Sequence, residues 1–256
     1  MLTNPLRTPT TGAFAALLLW TLAQVALAAA GDPAARAIFV LGTVEAVADD
    51  GTVRELARGD AVNTGDTLRT GPSGRAQVRF TDGARLALRP DTELAVDEYS
   101  HEPAQPAERQ RTTLSLSRGG FRSITGEIAD RDRSAYRVQT PMAVLGVRGT
   151  DFSAVIADLG DGLQLYVGVR EGGIFASNDG GRIDLGLGAP FSFAVVRDSE
   201  TMPQGMRSPP TILLGLFGLS MGDESGPGGP SGGPGTGTGP GGYGEDVVYR
   251  LTRRCL

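Results

Sequence analysis

Between Arg36 and Arg197 apolar and polar residues alternate with a period of two, and short glycine-containing clusters interrupt the alternation. Ala76-x-Val78-x-Phe80 runs into Thr81-Asp82-Gly83. Ala84-x-Leu86-x-Leu88 runs into Arg89-Pro90-Asp91, and Leu94-x-Val96 follows. The same period recurs in Leu114-x-Leu116, Tyr136-x-Val138, Phe152-x-Ala154-x-Ile156 and Leu163-x-Leu165-x-Val167-x-Val169. A strand sends successive side chains to opposite faces, so each run predicts a strand with one face buried and the other wet. The clusters Asp49-Asp50-Gly51, Gly71-Pro72-Ser73-Gly74, Asp82-Gly83, Gly160-Asp161-Gly162 and Asn178-Asp179-Gly180-Gly181 tolerate positive φ and predict the turns between them. Turn signals at roughly 8–12 residues point to an all-β domain, a twisted β-solenoid or a β-sandwich-like fold, rather than to α/β. A faint internal echo favours the coiled form, because Gly42–Gly71 and Val169–Phe193 share a cadence of strand, glycine turn and strand.

The two ends are built differently. Ala13–Ala30 (AFAALLLWTLAQVALAAA) is a dense apolar run behind the single charge of Arg7, and Ala26-Leu27-Ala28 and Ala28-Ala29-Ala30 offer small-residue exits. That order predicts a signal helix over 1–30, cleaved near its end, with no lipidated cysteine behind it; an uncleaved anchor is the competing reading. The β domain is then expected over 31–205, and 206–220 holds a short segment, apolar in Thr211–Leu219, open to strand, helix or exposed patch. Met221–Gly244 contains 12 glycines and 4 prolines in 24 residues, a composition that cannot repay the entropy of ordering. It is expected to be a disordered linker over 221–244. The terminal peptide 245–256 (EDVVYRLTRRCL) alternates briefly and reads as a frayed end or as a delivered docking peptide.

Composition narrows the chemistry. The chain has 256 residues and a net charge of −5, and all 24 of its basic residues are scattered arginines, so no basic footprint for nucleic acid is present. A single cysteine, Cys255, excludes a disulfide framework within one chain and a Cys-rich zinc site. A single histidine, His101, sits in the polar sequence Ser100-His101-Glu102-Pro103 and reads as a solvated loop residue, since neither an oriented partner set nor a G-x-S-x-G accompanies it. Asn178–Leu185 carries one copy of a pattern that calcium-binding β-rolls need in tandem, so a plain hairpin turn is expected there. No catalytic, cofactor or metal residues are assigned on these grounds.

Two sequence stretches carry a resemblance. Leu56–Asp60 (LARGD), Gly65–Thr70 (GDTLRT), Ala76–Phe80 and Thr81–Leu86 form the first. Gln139–Phe152 (QTPMAVLGVRGTDF) forms the second and more specific one, with Gly172-Gly173-Ile174 and Leu185–Ala189 behind it. Together they resemble the FecR-type periplasmic domain from about Ile38 to Val196. The best-known members of that family are transmembrane anti-sigma regulators whose exported half meets an outer-membrane receptor. The resemblance implies an exported β-rich fold and a recognition role. A cytoplasmic anti-sigma part ahead of Ala13 is not expected, so the sigma-factor circuit is not carried over.

The suggestive residues have structural readings. Pro141 belongs at a strand entry, and Gly149 at a bend. Arg148 lies in the apolar run Val144–Phe152 and is expected to be held by Asp151 or by turn carbonyls, with Thr150 bonding back to the turn. Arg109 with Arg111, and Arg118 with Arg122, would share strand faces and could form an anionic docking patch, though nearby Glu102, Glu108, Glu127, Asp130 and Asp132 favour ordinary mixed surface charge. The function expected is a non-enzymatic, periplasmic or secreted recognition or scaffold module that binds another envelope protein. A carbohydrate- or peptidoglycan-binding module is the alternative, weakened by the loss of Trp20 with the signal, and a hydrolase is a remote third.

Overall fold

The structure, a computed structural model, describes residues 33–217 apart from Gln105 and Arg133. The expected signal segment 1–30, linker 221–244 and terminal peptide 245–256 lie outside the described residues, as does Cys255. The fold class is all-β, and every turn named above joins two strands.

Fifteen strands among the described residues form one connected sheet. Three of them are long: β9 (Arg111–Ile124), β11 (Val144–Asp158) and β12 (Leu163–Asn178). Each pairs with different neighbours along its two halves, and this splits the sheet into two arms. The first arm takes β2 (Val44–Val47), β3 (Val53–Glu55), β5 (Thr67–Thr70) and β8 (Glu93–Ser100) on one side of β9. It takes β10 (Tyr136–Gln139) and β13 (Gly181–Gly186) on the other. The second arm takes β1 (Ala35–Leu41), β4 (Ala61–Val62), β6 (Arg75–Phe80) and β7 (Arg85–Leu88), and it ends in β14 (Phe193–Val196) and β15 (Gln204–Met206). All pairings are antiparallel except that between β9 and β10.

Both arms bury their inner faces in one core. Leu68, Leu94, Leu114, Val138 and Leu145 come from the first arm, and Val78, Leu86, Phe121, Phe152 and Val167 from the second. The sheet is therefore turned over on itself, and the three long strands make the corner. At the corner the inward parity of each strand changes. In β9 the inward set passes from Leu114 and Leu116 to Phe121; in β11 from Leu145 and Val147 to Phe152 and Ala154; in β12 from Leu165, Val167 and Val169 to Ile174 and Ala176. An extra residue in a strand shifts its alternation by one, which is what a bulge does. The ladder is irregular at Arg148–Phe152, and Gly119, Gly149 and Gly172 have φ of 74, 56 and 78° beside the shifts. Gly172 cannot be replaced freely: a side-chain carbon there would run into the Gly149 carbonyl of the neighbouring strand.

The corner is filled by aromatic rings. Phe152 stands edge-on to Phe121, with centroids 5.7 Å apart, and to Tyr136, at 6.4 Å. The Tyr136 hydroxyl lies 3.0 Å from the Ser123 hydroxyl, so the ring is buried without stranding its polar end.

Two helices close gaps. Helix α1 (Glu127–Arg131) follows β9, and α2 (Thr211–Phe217) follows β15. Leu213 and Leu216 of α2 cover the outer face of the second arm at Val155, Tyr166, Phe193 and Val195. Within the 206–220 segment, whose form the sequence leaves open, Thr211–Phe217 is a short helix. The expectation of a wet outer face fails for this part of β11 and β12, where the helix supplies the second cover and both faces are buried. None of the described helices is long and apolar enough to cross a membrane.

Candidate docking trough

The stretch Thr140–Phe152 divides its labour residue by residue. Thr140 makes the β10–β11 turn: its hydroxyl oxygen accepts the Ala143 N–H at 3.0 Å, and its own N–H donates to the Ala143 carbonyl at 3.0 Å. Pro141 sits inside that turn, where its missing N–H costs nothing. Thr150 is buried and donates its hydroxyl to the Gly173 carbonyl at 2.9 Å, locking β11 to β12 beside the bend. Asp151 takes a two-pronged bond from Arg122, with Nε to Oδ1 at 2.9 Å and a terminal nitrogen to Oδ2 at 2.7 Å.

Arg148 is placed differently from the expectation. It is exposed, and among the described residues it makes no hydrogen bond or ion pair. Its neighbours Val147 and Leu145 point to the core, so Arg148 points away from it, and the positive φ of Gly149 separates it from Asp151. The buried cation on Asp151 is Arg122 instead. The anionic patch expected of Arg118 and Arg122 does not form: Arg118 is exposed near Glu93, whereas Arg122, opposite in parity to the inward Phe121, is buried against Asp151 on the other face of the sheet. Arg109 lies in a single 3-10 turn ahead of β9, while Arg111 pairs loosely with Glu98 at 3.8 Å. Among the described residues the basic stretch is dispersed and forms no patch.

Arg148 opens onto a trough of about 920 Å³. The floor is the outward face of β11 and β12, made of Gly146, Gly173 and Phe175. The register sets Arg137, Gly146, Phe175 and Asp184 in one row across four strands, with Arg148 opposite Gly173 one step away. The absence of a side chain at Gly146 is what seats Phe175, whose ring edge occupies the space a β-carbon would take. The Arg182 guanidinium stacks on that ring at 3.9 Å from the centroid and pairs with Asp184 at 2.7 Å. Asp132 and Ser134 of the α1–β10 connection stand on one side, and Leu187, Gly188 and Pro190 of the loop after β13 on the other. Leu187 is 87% exposed. A smaller hollow of about 260 Å³ continues past Gly149 and Gly172 to Asp130.

The carboxylates of the trough are engaged. Asp132 accepts the Ser134 N–H and hydroxyl, both at 2.8 Å; these two bonds, then the charges of Arg111 and Arg137, hold its carboxyl below the usual range. Asp184 is taken by Arg182. Arg148 makes no ion pair among the described residues, and it shares the smaller hollow with Asp130.

A second cluster lies at the other end of α1. His101 is not solvated: its side chain is only 6% exposed and its Nε2 stands 3.8 Å from the Glu127 carboxylate. Asp82 accepts the N–H groups of Ala84 at 3.1 Å and Ile128 at 3.4 Å, while its own N–H donates to the Tyr99 hydroxyl at 2.9 Å. Burial pushes the Asp82 carboxyl up, against the pull of those bonds. This arrangement clamps the first turn of α1. Nothing in the local sequence announced it, because its parts come from four separate elements. Asn178–Gly181 forms the hairpin turn between β12 and β13. Among the described residues no group of three or more His, Cys, Asp or Glu side chains converges on a metal site.

Residues 66–175 match the family described as "FecR protein", so the chain carries a FecR-type domain, from β5 to the middle of the β12 segment that floors the trough. No curated protein matches the chain. Among solved structures, a "cell surface anchoring domain" is 28% identical over 25% of this chain and 83% of its own, with a TM-score of 0.24. Two crystal structures of a "putative anti-sigma factor" from Parabacteroides distasonis ATCC 8503 are 16% identical, with a TM-score of 0.42, over 56% of this chain and 60% of theirs.

Proposed function

We propose that the chain is an exported, non-enzymatic regulatory recognition module of the bacterial envelope, and that another envelope protein docks in the trough. The observation that carries this reading is the pairing of an open sheet face with an unpaired Arg148 inside the most specific stretch of the FecR-type sequence. Residues of that stretch which serve the fold are buried or bonded; Arg148 is neither, so its side chain is free for a partner. The carbohydrate alternative is weakened by Phe175, the aromatic floor of the trough, because Arg182 already occupies a face of its ring. Export follows from the apolar run at 13–30, and N-terminal sequencing of the mature protein is expected to start at about residue 29 or 31.

The test is site-directed photo-crosslinking in living cells from position 187 on the trough rim, with position 163 as the control. Both leucines are exposed, but Leu163 lies at the far end of β12. A discrete protein adduct from 187 and none from 163 supports the reading. Adducts with peptidoglycan sacculi, or equal labelling from both positions, would replace it.

A further inference from the structure

We infer that the trough receives an extended partner segment carrying a carboxylate flanked by apolar side chains, and that Arg148 is its anchor. This rests on the docking reading above and specifies the chemistry of the occupant.

Charge complementarity leads the argument. Three arginines face the trough, and two of them are already committed: Arg182 to Asp184 and the Phe175 ring, and Arg137 to the Ser134 carbonyl at 3.3 Å, beside Asp132. Arg148 alone of the three has no partner among the described residues. A guanidinium presents parallel N–H groups that match a carboxylate in a two-pronged bond, and this same domain uses that geometry at Arg122 and Asp151. The surroundings raise the worth of such a bond. Gly146 and Gly173 contribute no polar side chain, and Leu187, Phe175 and Pro190 exclude water around the cation once the trough is filled.

Shape agrees with an extended chain. The glycine floor lets a main chain come close, and the apolar rim gives side chains on either side of the acid a place to bury. Asp130 sets the direction. It stands at the end of the smaller hollow, 3.0 Å from where a side chain on Gly149 would begin, so a second acid on that side is repelled. The segment therefore carries its carboxylate over Gly173 and an uncharged residue toward α1.

The experiment uses three blocked, fluorescent hexapeptides of leucine and valine with one central residue: Glu, Gln or Lys. Fluorescence anisotropy with the full mature protein is expected to show saturable binding of the Glu peptide, about tenfold weaker binding of the Gln peptide, and loss of the difference at high salt. Arg148→Glu, whose melting temperature should equal that of the parent, is expected to invert the order so that the Lys peptide binds best. Equal binding of the Glu and Gln peptides, an unchanged order in Arg148→Glu, or no binding by any peptide overturns the inference. Crosslinking from position 187 reads the docking reading separately. An adduct that persists undiminished in Arg148→Glu leaves the trough as a docking surface and removes Arg148 as its anchor.

Discussion

Arg122 and Asp151 meet across the β9–β11 pairing at the corner where the sheet turns over, with side chains only 7% and 11% exposed. Both charged groups are withdrawn from water, so each depends on the other. Arg170 is the nearest further cation, 4.0 Å from the Asp151 carboxylate. Arg122→Ala leaves the buried Asp151 carboxylate with only the longer contact to the half-exposed Arg170, and is expected to lower stability by about 3 kcal/mol. The pair itself is replaceable. Arg122→Met with Asp151→Leu is expected to recover most of the loss, because the desolvation cost disappears along with the attraction. Urea unfolding of the two single variants and the double variant measures the coupling.

Within the run Val147–Asp151 two neighbouring polar residues should behave in opposite ways. Arg148→Ala is expected to change stability by no more than about 0.5 kcal/mol, as for an exposed side chain without partners. Thr150→Val keeps the shape but removes the buried hydroxyl's bond to the part-buried Gly173 carbonyl, at a cost of about 1 kcal/mol. Thermal melts of the two variants side by side test this. A destabilised Arg148→Ala would restore the buried role that the apolar run suggests.

Helix α2 sets where the chain can be shortened. Removing 221–256 is expected to leave the melting temperature nearly unchanged, since that composition has no core to contribute. Removing everything from Thr211 onward uncovers Val155, Tyr166, Phe193 and Val195, and is expected to lower stability by several kcal/mol and to promote aggregation. Leu213→Ala should cost about 2–5 kcal/mol on its own. Melting curves and light scattering of the truncations check both expectations.

The clamp on α1 predicts a pH dependence. Burial raises the Asp82 carboxyl above 3.8, its ordinary value in the unfolded chain. The folded state therefore favours the protonated form. The stability this provides is fully present below about pH 4 and is lost as the pH rises through the raised value. Asp82→Asn removes the titration while keeping an acceptor for the Ala84 N–H. Relative to the parent, the variant is expected to gain stability between pH 4 and pH 7. Parallel melts across that range measure the difference, and two curves of equal slope would contradict the assignment to Asp82.

Local residue patterns were enough to place the strands, their turns and most of the inward faces. Ala76, Val78 and Phe80, or Leu165, Val167 and Val169, announce their burial through a period of two, and Gly51 or Asn178–Gly181 announce turns through local backbone preference. These are properties of a few consecutive residues. Which side of the corner each parity belongs to depended on the whole folded sheet. The shift by one residue near Gly149 and Gly172 leaves Arg148 on the outward parity set by Leu145 and Val147 and turns Asp151 onto the face of Arg122, although the sequence places Arg148 three positions from Asp151 and Arg122 twenty-nine away. The second cover over β11 and β12, and the burial of His101 against α1, are decided in the same way. Both depend on segments far apart in the chain, α2 and the Asp82 turn, packing where the folded sheet leaves room. Alternation is a local signal; the partner that a side chain finds across a bent sheet is not.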